Sequence, residues 1–250
     1  MKVDTKLGGQ FGNRGGFRSG FYRRLGRGFR ELGTKFLRRQ GINATWIDVG
    51  AHLGEASLTF ARNNPGLRVF AFEPNWKLAR QLIGEVPNFI VIPMAVSDRD
   101  GYADFFVNAA DEASSLLPFS PDGFRHWKGG AELRVESKAV VPTIRLETFM
   151  ANVGIQSVDY LKIDAQGADF SIVLSAGSRL RDIRMITLEV DVTNPRLYQG
   201  SAGRDRIAAY LKDQGYVLTE ACAQSFGQEE NLTFVRLDRE VETRIREGAG

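Results

Sequence analysis

The sequence predicts an α/β protein built on a doubly wound, seven-stranded, mostly parallel sheet with an antiparallel last strand and a β insertion. Three observations lead there. From residue 45, short apolar runs alternate with stretches of helical periodicity, the pattern of a parallel sheet covered by helices. The last two apolar runs are separated by a loop alone, which is too short for the crossover a parallel pair needs. Residues 98–142 exceed an ordinary connection between elements.

Taken in order, strands fall at 45–49 (TWIDV), 68–72 (RVFAF), 89–95 (FIVIPMA), 158–163 (VDYLKI), 184–190 (RMITLEV), 216–220 (YVLTE) and 231–237 (NLTFVRL). Helices near 54–63, 75–84, 143–152, 167–176 and 203–214 fill the intervals. Within 98–142, Asp100-Gly101 reads as a turn and 102–107 and 135–141 as added strands. Between them lie Ser114, Ser115, Phe119, Phe124, His126 and Trp127. Such an insertion at the ligand edge of a sheet either supplies substrate contacts or embellishes the surface.

The N-terminus has a different character. Residues 1–41 carry eleven Lys or Arg against Asp4 and Glu31, a net charge of +9, which leaves −6 on the remainder of a chain whose total is +3. Residues 1–20 are rich in glycine and arginine and too poor in apolar side chains to fold alone. Phe21, Leu25, Phe29, Leu32 and Phe36 then recur at helical spacing, predicting an amphipathic helix over 19–39 that Gly26, Gly28 and Gly33 weaken. This segment fits a lid or homodimer arm, an RNA-binding or anionic-surface segment, or an organelle presequence. A secretory signal is not expected, because no uninterrupted apolar core follows the basic residues.

At 250 residues the chain has room for one large domain, here 42–250, plus the appendage at 1–41. No apolar run approaches the roughly 20 residues of a membrane span. A single cysteine, Cys222, excludes an intrachain disulfide and a thiol metal cluster, which makes the cytoplasm the default expectation.

The functional signal begins at residues 48–54 (DVGAHLG), where a strand runs into a glycine turn and a helix. Main-chain N–H groups at that helix start are expected to face the crevice at the carboxyl end of the sheet. Gly50 and Gly54 give room for a tight turn and a close ligand, and Asp48 orients the turn or accepts from the ligand's amino group. Glu73 ends the next strand, 19 residues after Gly54, where a carboxylate can accept both ribose hydroxyls of an adenosine. A nicotinamide dinucleotide would prefer G-x-G-x-x-G, and no G-x-x-x-x-G-K-[ST] loop for ATP is present.

In order along the chain, DVGAHLG, FEP (72–74), PMAVSD (93–98), VPTIRLETF (141–149) and DYLKIDAQGAD (159–169) resemble the FkbM family of methyltransferases over residues 45–191. The resemblance implies the Rossmann-like class I methyltransferase fold, S-adenosylmethionine as donor, and O-methylation of a hydroxyl on a small-molecule natural product or carbohydrate. By position it implies that Asp48, Gly50, Ala51, His52 and Gly54 line the methionine end and that Glu73 with Pro74 holds the ribose. It also implies that Ala95 and Val96 border the adenine and that Asp164 faces the cofactor's amino-acid end. Gln166 and Asp169 depart from the pattern, standing where similar sequences often carry glutamate.

Methyl transfer demands in-line alignment, and a base helps when the nucleophile is an unactivated hydroxyl. Candidates at the carboxyl edge are His52, Asp164, Glu189 and Asp191, with His126 from the insertion. Asp164 is the preferred base or orienter. His52 is either a base or a residue packed against the cofactor. Asp164, Glu189 and Asp191 form an oxygen-rich magnesium site or are solvated strand ends. Lys162, on the face of Asp164, is expected to be its structural ion-pair partner. The basic segment leaves an RNA or protein methyltransferase open, and a non-catalytic cofactor-binding scaffold is the reading from another class. An intact 48–54 turn together with Glu73 argues against the scaffold.

Overall fold

The computed structural model of the chain describes residues 43–130 and 133–237. The basic segment 1–41, with its expected helix over 19–39, lies outside the described residues.

The first strand, β1 (Ala44–Val49), leads through the glycine turn to α1 (Leu58–Asn63), β2 (Leu67–Phe72), α2 (Trp76–Leu82) and β3 (Phe89–Ile92). Next come β4 (Ala95–Val96), β5 (Gly101–Asn108), α3 (Pro121–His126), β6 (Val135–Ile144) and α4 (Leu146–Val153). The chain continues through β7 (Tyr160–Ile163), α5 (Asp169–Ser175), β8 (Met185–Asp191), α6 (Arg204–Asp213), β9 (Tyr216–Gln224) and β10 (Glu229–Arg236). Seven strands form the main sheet in the order β3-β2-β1-β7-β8-β10-β9. All are parallel except β10, which runs antiparallel to both β8 and β9. The strand order reverses direction beside β1, so the crevice at the carboxyl ends of β1 and β7 is the topological switch point where open α/β sheets bind ligands.

Strand periodicity divides the core between the two faces of the sheet. Ile47, Val49, Phe70, Phe72, Leu161, Ile163, Ile186 and Leu188 face one way and pack with Leu146, Phe149, Phe170, Ile172, Ile207 and Leu211 from α4, α5 and α6. Ala44, Trp46, Val69, Ala71, Tyr160 and Met185 face the other way, against Leu58, Phe60 and Ala61 of α1 and Leu82 of α2. Aromatic side chains key both layers, with Trp46 edge-on to Tyr160 and Phe149 edge-on to Phe72.

The expected elements are present with shifted limits, and each shift has a local cause. The strand predicted over 89–95 stops at Ile92, because Pro93 has no N–H for the ladder. Ala95 and Val96 then leave the main sheet to pair with Thr143 and Ile144. α1 starts at Leu58 and not near residue 54, because Gly54 is left-handed at φ 76° and the chain turns once more before helix begins. β9 and β10 are longer than predicted and pair from Gln224–Glu229 to Tyr216–Arg236.

The insertion builds a second, three-stranded sheet, β4-β6-β5. Asp100 anchors it by accepting from the Arg145 N–H and the Thr148 hydroxyl, each at 2.8 Å, at the start of α4. Residues 111–128 then lie along the carboxyl edge of the main sheet. Ser120 N–H donates to the Leu197 carbonyl, Gln199 N–H to the Pro118 carbonyl, and Lys128 N–H to the Gln228 side chain. Gly123 passes so close to Arg196 that a Cβ there would lie 1.8 Å from its carbonyl oxygen.

Candidate functional site

The turn after β1 is held from within. Gly50 and Ala51 N–H both donate to the Phe72 carbonyl, His52 N–H to Glu73 Oε2, Leu53 N–H to Glu55 Oε2 and Gly54 N–H to the Ala51 carbonyl. The expectation that these N–H groups face the crevice is therefore corrected. What the turn offers a ligand is a close main-chain surface and not a cradle of donors, so a phosphate finds none of the loop N–H groups it needs. Gly50, at φ 73°, passes directly over β7, and a Cβ on it would lie 1.9 Å from the Asp164 carbonyl oxygen. No other residue fits there.

Asp48 is buried behind the turn, accepting from the Ser57 hydroxyl and lying 3.2 Å from Lys162 Nζ. There it orients the turn. Lys162 also donates to the Gly50 carbonyl at 2.9 Å and lies 3.6 Å from Asp164 Oδ2, the ion pair the sequence pattern predicts. Burial alone would lower this ammonium's pKa, but the charges of Asp48 and then Asp164 outweigh it and keep the group protonated.

Glu73 follows β2 with one oxygen turned to the glycine turn and the other to the start of α2. Oε2 accepts from His52 N–H and Oε1 from Asn75 N–H, each at 2.8 Å. A carboxylate has about four lone-pair directions, so two remain for a pair of ribose hydroxyls. Burial raises its pKa to about 7 against the opposing pull of those N–H groups. Pro74, half-buried, leads into Asn75, whose side chain caps α2 by accepting from Lys77 N–H. Val96 is packed into the main core and Ala95 against Phe105 and Val141, so only their main chain is free to border an adenine.

His52 is left-handed at φ 50°, with Nδ1 2.9 Å from Glu55 Oε1 and Nε2 2.9 Å from Asp111 Oδ1. Burial would lower its pKa, but the bonds and charges of Glu55 and then Asp111 raise it to about 9. An imidazolium that donates both N–H groups is not a base at neutral pH. Of the two readings of His52, the geometry favours the packing one: the ring ties the glycine turn to the insertion. His126 is likewise engaged at home, with Nδ1 donating to the Asp122 carbonyl at 2.7 Å.

The strand ends of β7, β8 and β10 bring carboxylates together on one face. Glu189 and Asp191 alternate onto the same face of β8, opposite Asn231 and Glu229 of β10. Asp191 is consumed locally: Oδ1 accepts from Thr193 N–H and hydroxyl, and Oδ2 from Leu197 N–H. Of the two readings of Asp164, Glu189 and Asp191, the magnesium site is therefore not supported. Among the described residues, the His, Asp and Glu ligand atoms that lie within 4.8 Å of one another belong to His52, Asp111 and Glu112. There the imidazolium already neutralises its carboxylate neighbour.

Burial and neighbouring acids push the remaining carboxyls up. Burial and then Asp164 raise Asp169 to about 7; burial, and then the charges of Asp164 and Asp191 against the Ser225 hydroxyl, raise Glu229 to about 8. Glu189 is raised well above its ordinary value by burial, then by Glu229 and Asp164. Among these acids Asp164 alone is appreciably open, its side chain 24% exposed against 6% for Glu189. Sequence reasoning missed Asp111, Tyr198 and Glu229, which no local motif marks, because chain segments far apart bring them to this edge.

The parallel sheet with β10 inserted before the edge, the turn over the switch point and a carboxylate ending β2 define a Rossmann-like protein of class I methyltransferase architecture. The chain belongs to the family of the methyltransferase FkbM domain, which matches residues 48–218. It is 26% identical over 160 residues to the 2-O-methyltransferase NoeI of Sinorhizobium fredii, a match covering 62% of this chain and 65% of NoeI. It is 28% identical over 214 residues to the AMB antimetabolite synthetase AmbE of Pseudomonas aeruginosa, covering 71% of this chain and 10% of AmbE. The chain thus spans 65% or less of the length of these relatives. Among solved structures it is similar to magnesium protoporphyrin IX methyltransferase (ChlM) from Synechocystis PCC 6803 with bound SAM. That likeness has a TM-score of 0.47 at 11% identity and covers 89% of this chain and 87% of ChlM. No helix among the described residues is long and apolar enough to cross a membrane.

Proposed function

We propose that the chain is an S-adenosylmethionine-dependent O-methyltransferase acting on a hydroxyl of a small molecule or carbohydrate. The observation that carries this reading is Glu73, held by two main-chain N–H groups with two acceptor directions left beside the glycine turn. The donor set suits a nucleoside bearing positive charge and no phosphate: the N–H groups of residues 50–54 are spent on the protein, while the Asp164 side chain stands open at the neighbouring edge. Family membership and the likeness to NoeI support the methyl-transfer chemistry.

When bound, S-adenosylmethionine supplies an electrophilic methyl group: the acceptor oxygen bonds the methyl carbon as the carbon–sulfur bond breaks, with the electron pair left on sulfur. The protein's own contribution is positioning and proton removal. Asp164, the open carboxylate at the end of β7, accepts the hydroxyl proton, while Lys162 and His52 stay protonated and hold the site together. A magnesium ion has no role in this account.

The acceptor lies between the carboxyl edge and residues 111–128 of the insertion. Calorimetry with S-adenosylhomocysteine tests the donor half. Micromolar binding that is lost in Glu73→Ala supports it, and a folded protein that binds nothing removes it. Salt titration and truncation of residues 1–41 test the acceptor half: a small-molecule enzyme shows little salt dependence, whereas binding to an RNA substrate weakens steeply with salt and vanishes on truncation.

A further inference from the structure

The Gln166 carboxamide, at the position where the resemblance leads one to expect a glutamate, is the hub of the carboxyl edge. Its Nε2 lies 2.8 Å from Asp164 Oδ1 and 2.9 Å from Glu189 Oε2, so each amide hydrogen serves one carboxyl group. Its Oε1 lies 2.9 Å from the Tyr198 hydroxyl, whose one hydrogen is shared between it and the Ala113 carbonyl at 3.0 Å. The reverse orientation of the amide would set its oxygen against two carboxyl groups, so the network fixes which way it points.

The backbone is built to keep the side chain there. Gln166 is left-handed at φ 53°, a conformation a non-glycine residue holds only when its surroundings impose it. Asp169 accepts from Ala165 and Gly167 N–H, pinning the turn on either side of Gln166. The Ser115 hydroxyl, from the insertion, donates to the Gln166 carbonyl at 2.7 Å. Gly167 lies so close to Tyr198 that a Cβ on it would meet the tyrosine Cβ at 2.8 Å and the first ring carbon, Cγ, at 3.0 Å.

We propose that Gln166 is a positioning residue for methyl transfer: its neutral carboxamide clamps Asp164 and Glu189 in fixed orientation and leaves Asp164 aimed outward to take the acceptor's proton. The inference rests on the methyltransferase reading. In this chain a neutral residue sits at an edge already crowded with acids. Asp164 and Lys162 come from β7, Glu189 and Asp191 from β8, Glu229 from β10 and Asp169 from α5, with Asp48 behind Lys162 and Tyr198 above. A glutamate at 166 would add another negative charge and, when ionised, no donor at all. The clamp also joins donor and acceptor sides, since Ser115 and Tyr198 reach it from the insertion and from the loop after β8.

The test compares wild type with Gln166→Leu, Gln166→Glu and Tyr198→Phe by three measurements. These are S-adenosylhomocysteine calorimetry, the pH profile of labelled methyl incorporation into the extract fraction that wild type labels, and a carboxyl-carbon NMR titration of Glu189 in the protein alone. In Gln166→Leu the labelling rate falls roughly tenfold or more while S-adenosylhomocysteine affinity changes by less than about threefold. Its Glu189 midpoint moves up by about one pH unit, because the charged form has lost a donor. Gln166→Glu is slow at neutral pH and recovers as the pH falls and the new carboxyl regains a proton to donate. Tyr198→Phe, which keeps the ring on Gly167, shows a smaller change of the same kind and decides the matter if Gln166→Leu does not fold. Wild-type pH profiles and an unmoved Glu189 titration in the folded variants overturn the proposal. If wild type neither binds S-adenosylhomocysteine nor labels any fraction, the methyltransferase reading falls, and the Glu189 titration still decides whether the clamp exists.

Discussion

Replacing Glu73 is the perturbation whose consequences the structure specifies most fully. Its two free acceptor directions each offer a charge-assisted hydrogen bond to a ribose hydroxyl, about 1.5–3 kcal/mol apiece. Glu73→Ala removes both and strands the His52 and Asn75 N–H groups, so S-adenosylhomocysteine affinity falls by more than about tenfold even if one bond is all that is lost. The same geometry sets a pH dependence. With the site free, burial holds the Glu73 pKa at about 7. Hydroxyls that donate to the charged form lower that value, so binding releases a proton and weakens as pH falls below about 7. The loss approaches about 1.4 kcal/mol, or tenfold in Kd, for each further pH unit. Calorimetry in buffers of different ionisation enthalpy reads both the affinity and the proton. A Kd that stays flat between about pH 8 and pH 5.5, or a Glu73→Ala variant within about threefold of wild type, would refute the reasoning.

The remaining predictions concern the fold around the site. Gly50→Ala forces a Cβ to within 1.9 Å of the Asp164 carbonyl oxygen at a left-handed φ, and should cost more than about 3 kcal/mol in urea unfolding. An unfolding free energy within about 1 kcal/mol of wild type would contradict the close approach of Gly50 to Asp164. Glu73, Asp169 and Glu229 have folded pKa values of about 7, 7 and 8, above their ordinary carboxyl values, and His52 stands at about 9, above its own. All four bind protons more tightly in the folded state. Their contribution is full below about pH 4; the carboxyl share is lost from there up to about pH 7 to 8 and the His52 share from about 6.5 to 9, so thermal scans should show a falling Tm from about pH 6 to pH 9. A rising Tm over that window contradicts the buried-acid edge. Asp111→Asn removes one of the two carboxylates on His52 and should lower its NMR titration midpoint by about one unit; an unmoved midpoint would mean that Asp111 does not face the ring.

The fold was largely legible because its signals are local. Runs such as 45–49 and 68–72 are buried on both faces of a parallel sheet and are apolar almost throughout. The limits that failed had causes that sequence periodicity does not carry. The edge strand β9 has a polar, mostly exposed stretch over Thr219, Glu220 and Cys222, which hides its extension past residue 220. The second left-handed turn at Gly54 delays α1.

At the site, Glu73 was legible because a strand end fixes where its side chain goes. His52 was legible as a residue of the turn, but which of its two readings holds depends on Asp111, 59 residues away. Asp191 met its strand-face prediction and was then claimed by the loop that follows it. The clamp at Gln166 was visible only as a departure from the family pattern, because its partners Glu189 and Tyr198 are set by tertiary structure.

Transfer of a labelled methyl group from S-adenosylmethionine into fractionated cell extract, with wild type and Glu73→Ala side by side, tests the central claim most directly. The account predicts label in small-molecule or glycan fractions with wild type and its loss with the variant. Label confined to RNA or protein would contradict the proposed acceptor, and no label in any fraction from a folded protein would contradict the methyltransferase reading itself.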